Sequence, residues 1–207
     1  MQMPEFRSRV VPVVSIESAD AAVPLAEALL EGGIDVIEIT LRRPGGLPGI
    51  AALARSSLPI CVGAGTLLDP QDVARAVEAG ARFGLSPGAT PPLLQAARTA
   101  GLPFVPGVMT PSEVMVARAA GHSLMKLFPA VQAGGIAMLK AISGPLPEVR
   151  FIPTGGIRAE TLTEWLAEPN VARVGGTWIA PASLIADRDW AAIAQRARQA
   201  TAAATGA

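Results

Sequence analysis

Eight short apolar runs of β-rich character, each followed by an alanine- and leucine-rich helical stretch, recur through the chain about every 20–25 residues. The runs are VVPVVSI (10–16), DVIEITLR (35–42), LPICVGA (58–64), RFGLS (82–86), PFVPG (103–107), SLMKLF (123–128), VRFIPT (149–154) and ARVGG (172–176). Helices are expected near 19–31, 47–56, 70–79, 90–100, 111–120, 135–142 and 159–167, with a last amphipathic helix near 187–203. Asp69-Pro70, Thr90-Pro91 and Thr110-Pro111 place a capping side chain before proline. Gly32-Gly33, Gly80, Gly101 and Gly121 stand where helices should close. A strand that alternates with a helix must pair in parallel through right-handed crossovers. Eight such units predict an α/β (β/α)8 TIM barrel. An open doubly wound sheet is the alternative, but no G-x-G-x-x-G follows the first run. No composition break divides the chain, so residues 1–207 are read as a single domain with a short N-terminal segment. The stretch Gly144-Pro145-Leu146-Pro147 reads as a loop, and the final TAAATGA as a frayed tail.

Charge narrows the partners. Seventeen basic and seventeen acidic residues give a formal net charge of zero, so no basic field exists for nucleic acid or an anionic membrane. One cysteine, Cys61, excludes an intrachain disulfide framework and suits a reducing compartment. The opening residues carry no secretory pattern, and no apolar run reaches the roughly 20 residues of a membrane span. A cytoplasmic protein acting on a small molecule is expected. A single histidine, His122, excludes a multi-histidine metal site within one chain, and no metal or cofactor is called for. Only Lys126 and Lys140 among the seventeen basic residues are lysines; a guanidinium cannot shed its proton to become a nucleophile, whereas an amine can.

Active sites of such barrels form at the carboxyl ends of the strands. There, Glu38, Thr40 and Arg42 lie at spacing two and share one face of the second strand. Leu124, Lys126 and Phe128 share one face of the sixth. Lys126 reads either as a salt-bridged structural lysine or as a nucleophile toward a carbonyl carbon. Glu38 reads as its neutralising partner, as a general acid/base, or as both. Arg42 reads either as a fork for a substrate carboxylate or as a surface arginine at a strand end, and Arg43 suits the surface role. Lys140 reads as a solvated helix residue, Cys61 as core, and His122 as a bystander at the amino end of the barrel. Pro153-Thr154-Gly155-Gly156-Ile157 and Gly175-Gly176-Thr177-Trp178, after the last two strands, suit an anion held by bare backbone amides. Gly63-Ala64-Gly65-Thr66 and Ser86-Pro87-Gly88 complete the rim. Thr66 serves either as a hydroxyl donor or as a helix cap.

EITLR (38–42), GAGT (63–66), SPG (86–88), KLFPA (126–130), PTGGI (153–157) and GGTW (175–178), in that order, resemble the bacterial 2-keto-3-deoxy-6-phosphogluconate (KDPG) and 4-hydroxy-2-oxoglutarate (KHG) aldolase family. The resemblance implies a metal-independent class I lyase of the Entner–Doudoroff pathway, a homotrimer of barrels without a cofactor. It would cleave 2-dehydro-3-deoxy-6-phosphogluconate to pyruvate and glyceraldehyde 3-phosphate, and 4-hydroxy-2-oxoglutarate as well. It further implies that Lys126 forms an imine and Glu38 moves protons, while Arg42 and Thr66 hold the pyruvyl carboxylate. Thr154 would bear on stereochemistry, and Pro87 and Phe128 would wall the imine. Gly155, Gly156, Gly176 and Thr177 would cradle the phosphate. The chain departs from the family pattern at Val131, where glutamate is frequent, at Thr177, where serine is, and at Arg43, where threonine is. Competing readings on the same barrel are a phosphosugar isomerase with Glu38 as base, and a noncatalytic phosphometabolite-binding protein.

Overall fold

Residues 3–206 are described by the structure, a computed structural model. Its strands are β1 Val10–Val14, β2 Val36–Thr40, β3 Cys61–Gly65, β4 Phe83–Leu85, β5 Phe104–Val105, β6 Gly107–Val108, β7 Leu124–Leu127, β8 Arg150–Phe151 and β9 Val174–Gly176. Every strand pair is parallel, in the orders β5-β4-β3-β2-β1-β9 and β6-β7-β8. Two links close these arcs into one ring. β5 and β6 are halves of a single stave interrupted at Pro106, which has no N–H for a ladder but accepts at its carbonyl from Lys126 N at 2.8 Å. Parallel bridges Phe151–Val171 and Thr154–Gly175 join the β8 and β9 segments, with Gly175 N donating to Pro153 O at 2.9 Å. The result is the eight-stave barrel that the alternation predicts.

Val and Ile crowd the staves because branched side chains fit a pleated surface covered on both sides. Along β2, Ile37 and Ile39 are fully buried and alternate with Glu38 and Thr40, so one face packs outward under helices and the other faces the barrel axis. The surrounding helices are α1 Ala22–Glu31, α2 Gly46–Arg55, α3 Pro70–Glu78, α4 Pro91–Thr99, α5 Pro111–Ala119, α6 Gly135–Ser143, α7 Leu162–Leu166, α8 Ala182–Ala186 and α9 Trp190–Thr205. Two of the three expected caps form: Asp69 accepts from Asp72 N, and Thr110 makes a reciprocal capping box with Glu113. Thr90 makes no side-chain cap, although proline still occupies the first turn of α4. Gly33, Gly80, Gly101 and Gly121 all take positive φ at helix ends, as the sequence requires; Gly32 does not.

Three differences from the sequence reading bear on the site and the packing. The second strand ends at Thr40, because residues 41–45 turn away toward α2. The short helix α8 is additional. The tail read as frayed is helical among the described residues, Ala207 lying outside them: α9 runs to Thr205, Ala200 and Ala204 are buried, and Thr201 Oγ1 donates to Gly32 O at 2.8 Å. Packing on α1 supplies the order that the local sequence does not. Close approach explains Gly32 itself, since a β-carbon there would fall 2.2 Å from Ala197 Cβ.

The N-terminal segment covers the amino end of the barrel. Asp35 accepts from the backbone N–H groups of Arg7 (2.9 Å) and Ser8 (3.0 Å). Phe6 stacks on the interior ring of Phe83 at 6.0 Å, and the Arg173 guanidinium lies 4.3 Å from the other aromatic centroid, that of Phe6. His122 also belongs to this end, with Nδ1 3.2 Å from Phe104 O; burial holds its pKa below the ordinary value.

Candidate active site

At the opposite, carboxyl end, a cavity of about 230 Å³ opens inside the ring. Every residue to which the family resemblance gives a role lines it: Glu38, Arg42, Thr66, Pro87, Lys126, Phe128, Thr154, Gly155, Gly156, Gly176 and Thr177. Val13, Thr40 and Ile157 line it too, without having been assigned a role from the sequence. Arg42, being beyond the end of β2, arrives from the turn instead of from the strand itself.

The centre of the cavity is an ion pair. Lys126 Nζ on β7 lies 2.8 Å from Glu38 Oε1 and 3.2 Å from Oε2, with side chains 6% and 1% exposed. A buried ion pair of this kind persists only with close geometry and full hydrogen bonding. The neutralising reading of Glu38 is therefore realised, and the same contact provides a path for proton exchange between amine and carboxylate. Lys126 Nζ also lies 5.5 Å from the Phe128 ring centroid. Lys140 is unlike it in every respect: exposed, on α6, and paired with Glu168 at 3.2 Å. Arg43 is likewise a surface residue, paired with Glu17 at 3.2 Å. Cys61 is core, and burial pushes its thiol up to about 11.

Glycines make room for this arrangement. A β-carbon on Gly65 would stand 2.2 Å from Glu38 Oε1, so the carboxylate occupies the space that a side chain on β3 would take. Gly175 leaves the same kind of space for Thr154 Oγ1, and Gly176 for the Trp178 ring. Gly155 and Gly156, by contrast, both take positive φ and form a turn that L side chains resist. Ser86, fully buried, donates to Gly88 O at 2.5 Å and accepts from Gly107 N at 3.3 Å, which shapes the turn bearing Pro87. Thr66 sits at φ 61°, a left-handed conformation unusual for a β-branched residue. It is a rim residue held in strain and not the cap of α3, a place taken by Asp69.

Chemically, the cavity pairs an amine with a proton carrier at its base and sets an arginine and a threonine beside them. Its outer wall is built from a glycine-rich turn. These are the elements of an imine-forming (β/α)8 enzyme that acts on an anionic carbonyl compound.

Comparison with known proteins agrees. The sequence model of the aldolase family described as KDPG and KHG aldolase matches residues 5–196. The 2-dehydro-3-deoxy-phosphogluconate aldolase of Pseudomonas aeruginosa is 44% identical over 193 residues, covering 93% of this chain and 88% of that protein. The KHG/KDPG aldolase of Escherichia coli K12 is 44% identical over 191 residues, covering 92% and 90%. A crystal structure of KDPG aldolase from Legionella pneumophila, with pyruvate captured at low pH as a covalent carbinolamine intermediate, superposes with a TM-score of 0.91 at 44% identity and covers 94% of each chain. The Zymomonas mobilis ZM4 enzyme with 3-phosphoglycerate gives 0.89 at 38% identity, covering 94% of this chain and 91% of that one. The chain belongs to the KDPG and KHG aldolase family. Among the described residues no helix is long and apolar enough to cross a membrane.

Proposed function

We propose that the protein is a class I aldolase that cleaves 2-dehydro-3-deoxy-6-phosphogluconate to pyruvate and glyceraldehyde 3-phosphate, and also accepts 4-hydroxy-2-oxoglutarate. The observation that carries this reading is the Lys126–Glu38 pair at 2.8 Å inside the cavity. Once Glu38 takes a proton from it, the Lys126 amine attacks C2 of the substrate; Glu38 then gives that proton to the carbinolamine hydroxyl, which leaves as water and yields a protonated imine. Arg42 and Thr66 hold the carboxylate beside it. As C3–C4 breaks, its electron pair flows into the imine to form an enamine, and Glu38 removes the C4 hydroxyl proton. The aldehyde departs, Glu38 returns a proton to C3, and water releases pyruvate. Thr154 faces the carbon whose configuration matters, while Pro87 and Phe128 wall the imine. Gly155, Gly156, Gly176 and Thr177 bind the distal phosphate, so that contacts remote from the breaking bond orient it.

The single chain folds as one unit, works in the cytoplasm and assembles as a homotrimer. Supporting assembly are large apolar side chains left open to solvent in the monomer, among them Leu68, Met109 and Met115. Borohydride reduction in the presence of pyruvate tests the chemistry. A covalent mass increase mapping to Lys126 is expected; no adduct, or one on Lys140 alone, overturns the reading. Sedimentation at micromolar concentration tests the trimer.

A further inference from the structure

Two hydroxyl groups behind Arg42 have no place in the chemistry above. The registers Val13–Glu38 and Val14–Ile39 set Ser15, just past β1, beside Thr40 at the end of β2. Their oxygens are 2.6 Å apart, and Thr40 Oγ1 also accepts from Arg42 Nε at 3.4 Å. Thr40 is 1% exposed, whereas the Arg42 side chain projects from an exposed turn. Among the described residues Arg42 makes no ion pair with a carboxylate, unlike its neighbour Arg43, which is held by Glu17. The Thr40 hydroxyl is thus the polar contact fixing a long, flexible cation at the mouth of the cavity. A second groove, lined by Ser15, Glu17, Asp20, Arg43 and Arg188, also borders Arg42, so the guanidinium has space to swing outward.

We infer that Thr40, braced by Ser15, is a positioning residue that aims the Arg42 guanidinium at the substrate carboxylate, and so sets the preference for 2-ketoacids over neutral ketones. The inference rests on the aldolase reading. With Nε engaged by Thr40, the outer nitrogens of the fork remain to receive a carboxylate in parallel. Ser15 fixes the Thr40 rotamer by its short contact. Freed from that contact, Arg42 samples the adjoining groove, and the carboxylate must reorder it on binding.

The test is the concentration dependence of borohydride trapping on Lys126, with pyruvate and with hydroxyacetone, a ketone that lacks the carboxylate. In Thr40→Val the pyruvate concentration for half-maximal trapping should rise about tenfold, the size of one charge-assisted hydrogen bond. The hydroxyacetone value should stay within about twofold, and Thr40→Ser should restore the parent behaviour. In an Arg42→Ala background, adding Thr40→Val should change nothing further, because the hydroxyl acts through the arginine. Equal weakening toward both ketones, additive losses in the double variant, or an unchanged pyruvate value each overturns the inference. Ser15→Ala, at a half-buried and less demanding position, should shift pyruvate alone in the same direction; no shift there also counts against it. If the unaltered protein traps no pyruvate, the aldolase reading falls and takes this inference with it. A normal adduct in the parent beside an unshifted Thr40→Val removes only the inference.

Discussion

Gly65 and Glu38 compete for one volume: a β-carbon on the glycine would lie 2.2 Å from Oε1 of the carboxylate and 2.7 Å from its Cγ. Gly65 leaves β3 flat where β2 projects a charged group inward. Adding one methyl in Gly65→Ala should push Glu38 away from Lys126 Nζ by about an ångström or more and lower kcat about 100-fold. Far-UV circular dichroism should remain native, since the strand pairing is untouched. A coupled lactate dehydrogenase assay reads the loss.

Removal of one member of the buried pair should cost more stability than removal of both. Glu38→Leu leaves the Lys126 ammonium 6% exposed without its counter-charge and should destabilise by about 3–5 kcal/mol. Glu38→Leu combined with Lys126→Met replaces the pair by apolar groups and should recover most of that loss. Urea denaturation midpoints make the comparison, and neither variant should release pyruvate.

Thr66 pays in backbone strain for its place on the rim. At φ 61° a β-branched residue is disfavoured by about 1–2 kcal/mol, whereas asparagine tolerates this region. Thr66→Asn should therefore raise the unfolding midpoint while weakening the half-saturation for pyruvate. A variant that loses both stability and affinity would contradict the strain argument.

Acid should loosen the floor of the barrel before its staves. Burial alone would raise the Asp35 carboxyl, but the N–H groups of Arg7 and Ser8 outweigh it and hold the pKa below the ordinary 3.8. A carboxyl depressed in the folded state lends stability above its unfolded value, and that stability disappears as pH falls through the folded one. Protection of the amides of residues 7 and 8, taken relative to their intrinsic exchange rate, should thus fall below about pH 4. Asp35→Asn should show the faster exchange already at neutral pH and no further acid step from this group.

Most of the architecture was legible because its signals are local. Branched residues in short runs marked the staves, and proline after a capping residue marked the starts of α3 and α5. Period-two spacing placed Glu38 and Lys126 inward before any contact was known. Long-range packing was not legible. The order of α9 to Thr205 comes from Gly32 and α1, far away in the chain, so an alanine-rich tail read as frayed. The pair Gly175-Gly176 read as the end of the eighth strand and the start of an anion loop, while each glycine also yields to a particular neighbour, Thr154 Oγ1 and the Trp178 ring. Thr40 stood in the same period-two series as Glu38, but its value depends on Ser15, which only strand register brings alongside. Arg42 kept its place at the cavity although the strand ended two residues early, since the turn carries it back over the mouth.

With Phe6 seated on Phe83 and Arg173 over Phe6, side chains pack the amino end of the barrel, and the cavity opens at the carboxyl end. The amine and carboxylate lie at its inner end, whereas Gly156 and Thr177 are exposed near the threshold. On the proposed chemistry the reactant points its ketoacid end inward, and the phosphorylated fragment, nearer the opening, departs ahead of the tethered three-carbon piece. The proposed order of product departure then follows from the depth of the amine as well as from the chemistry.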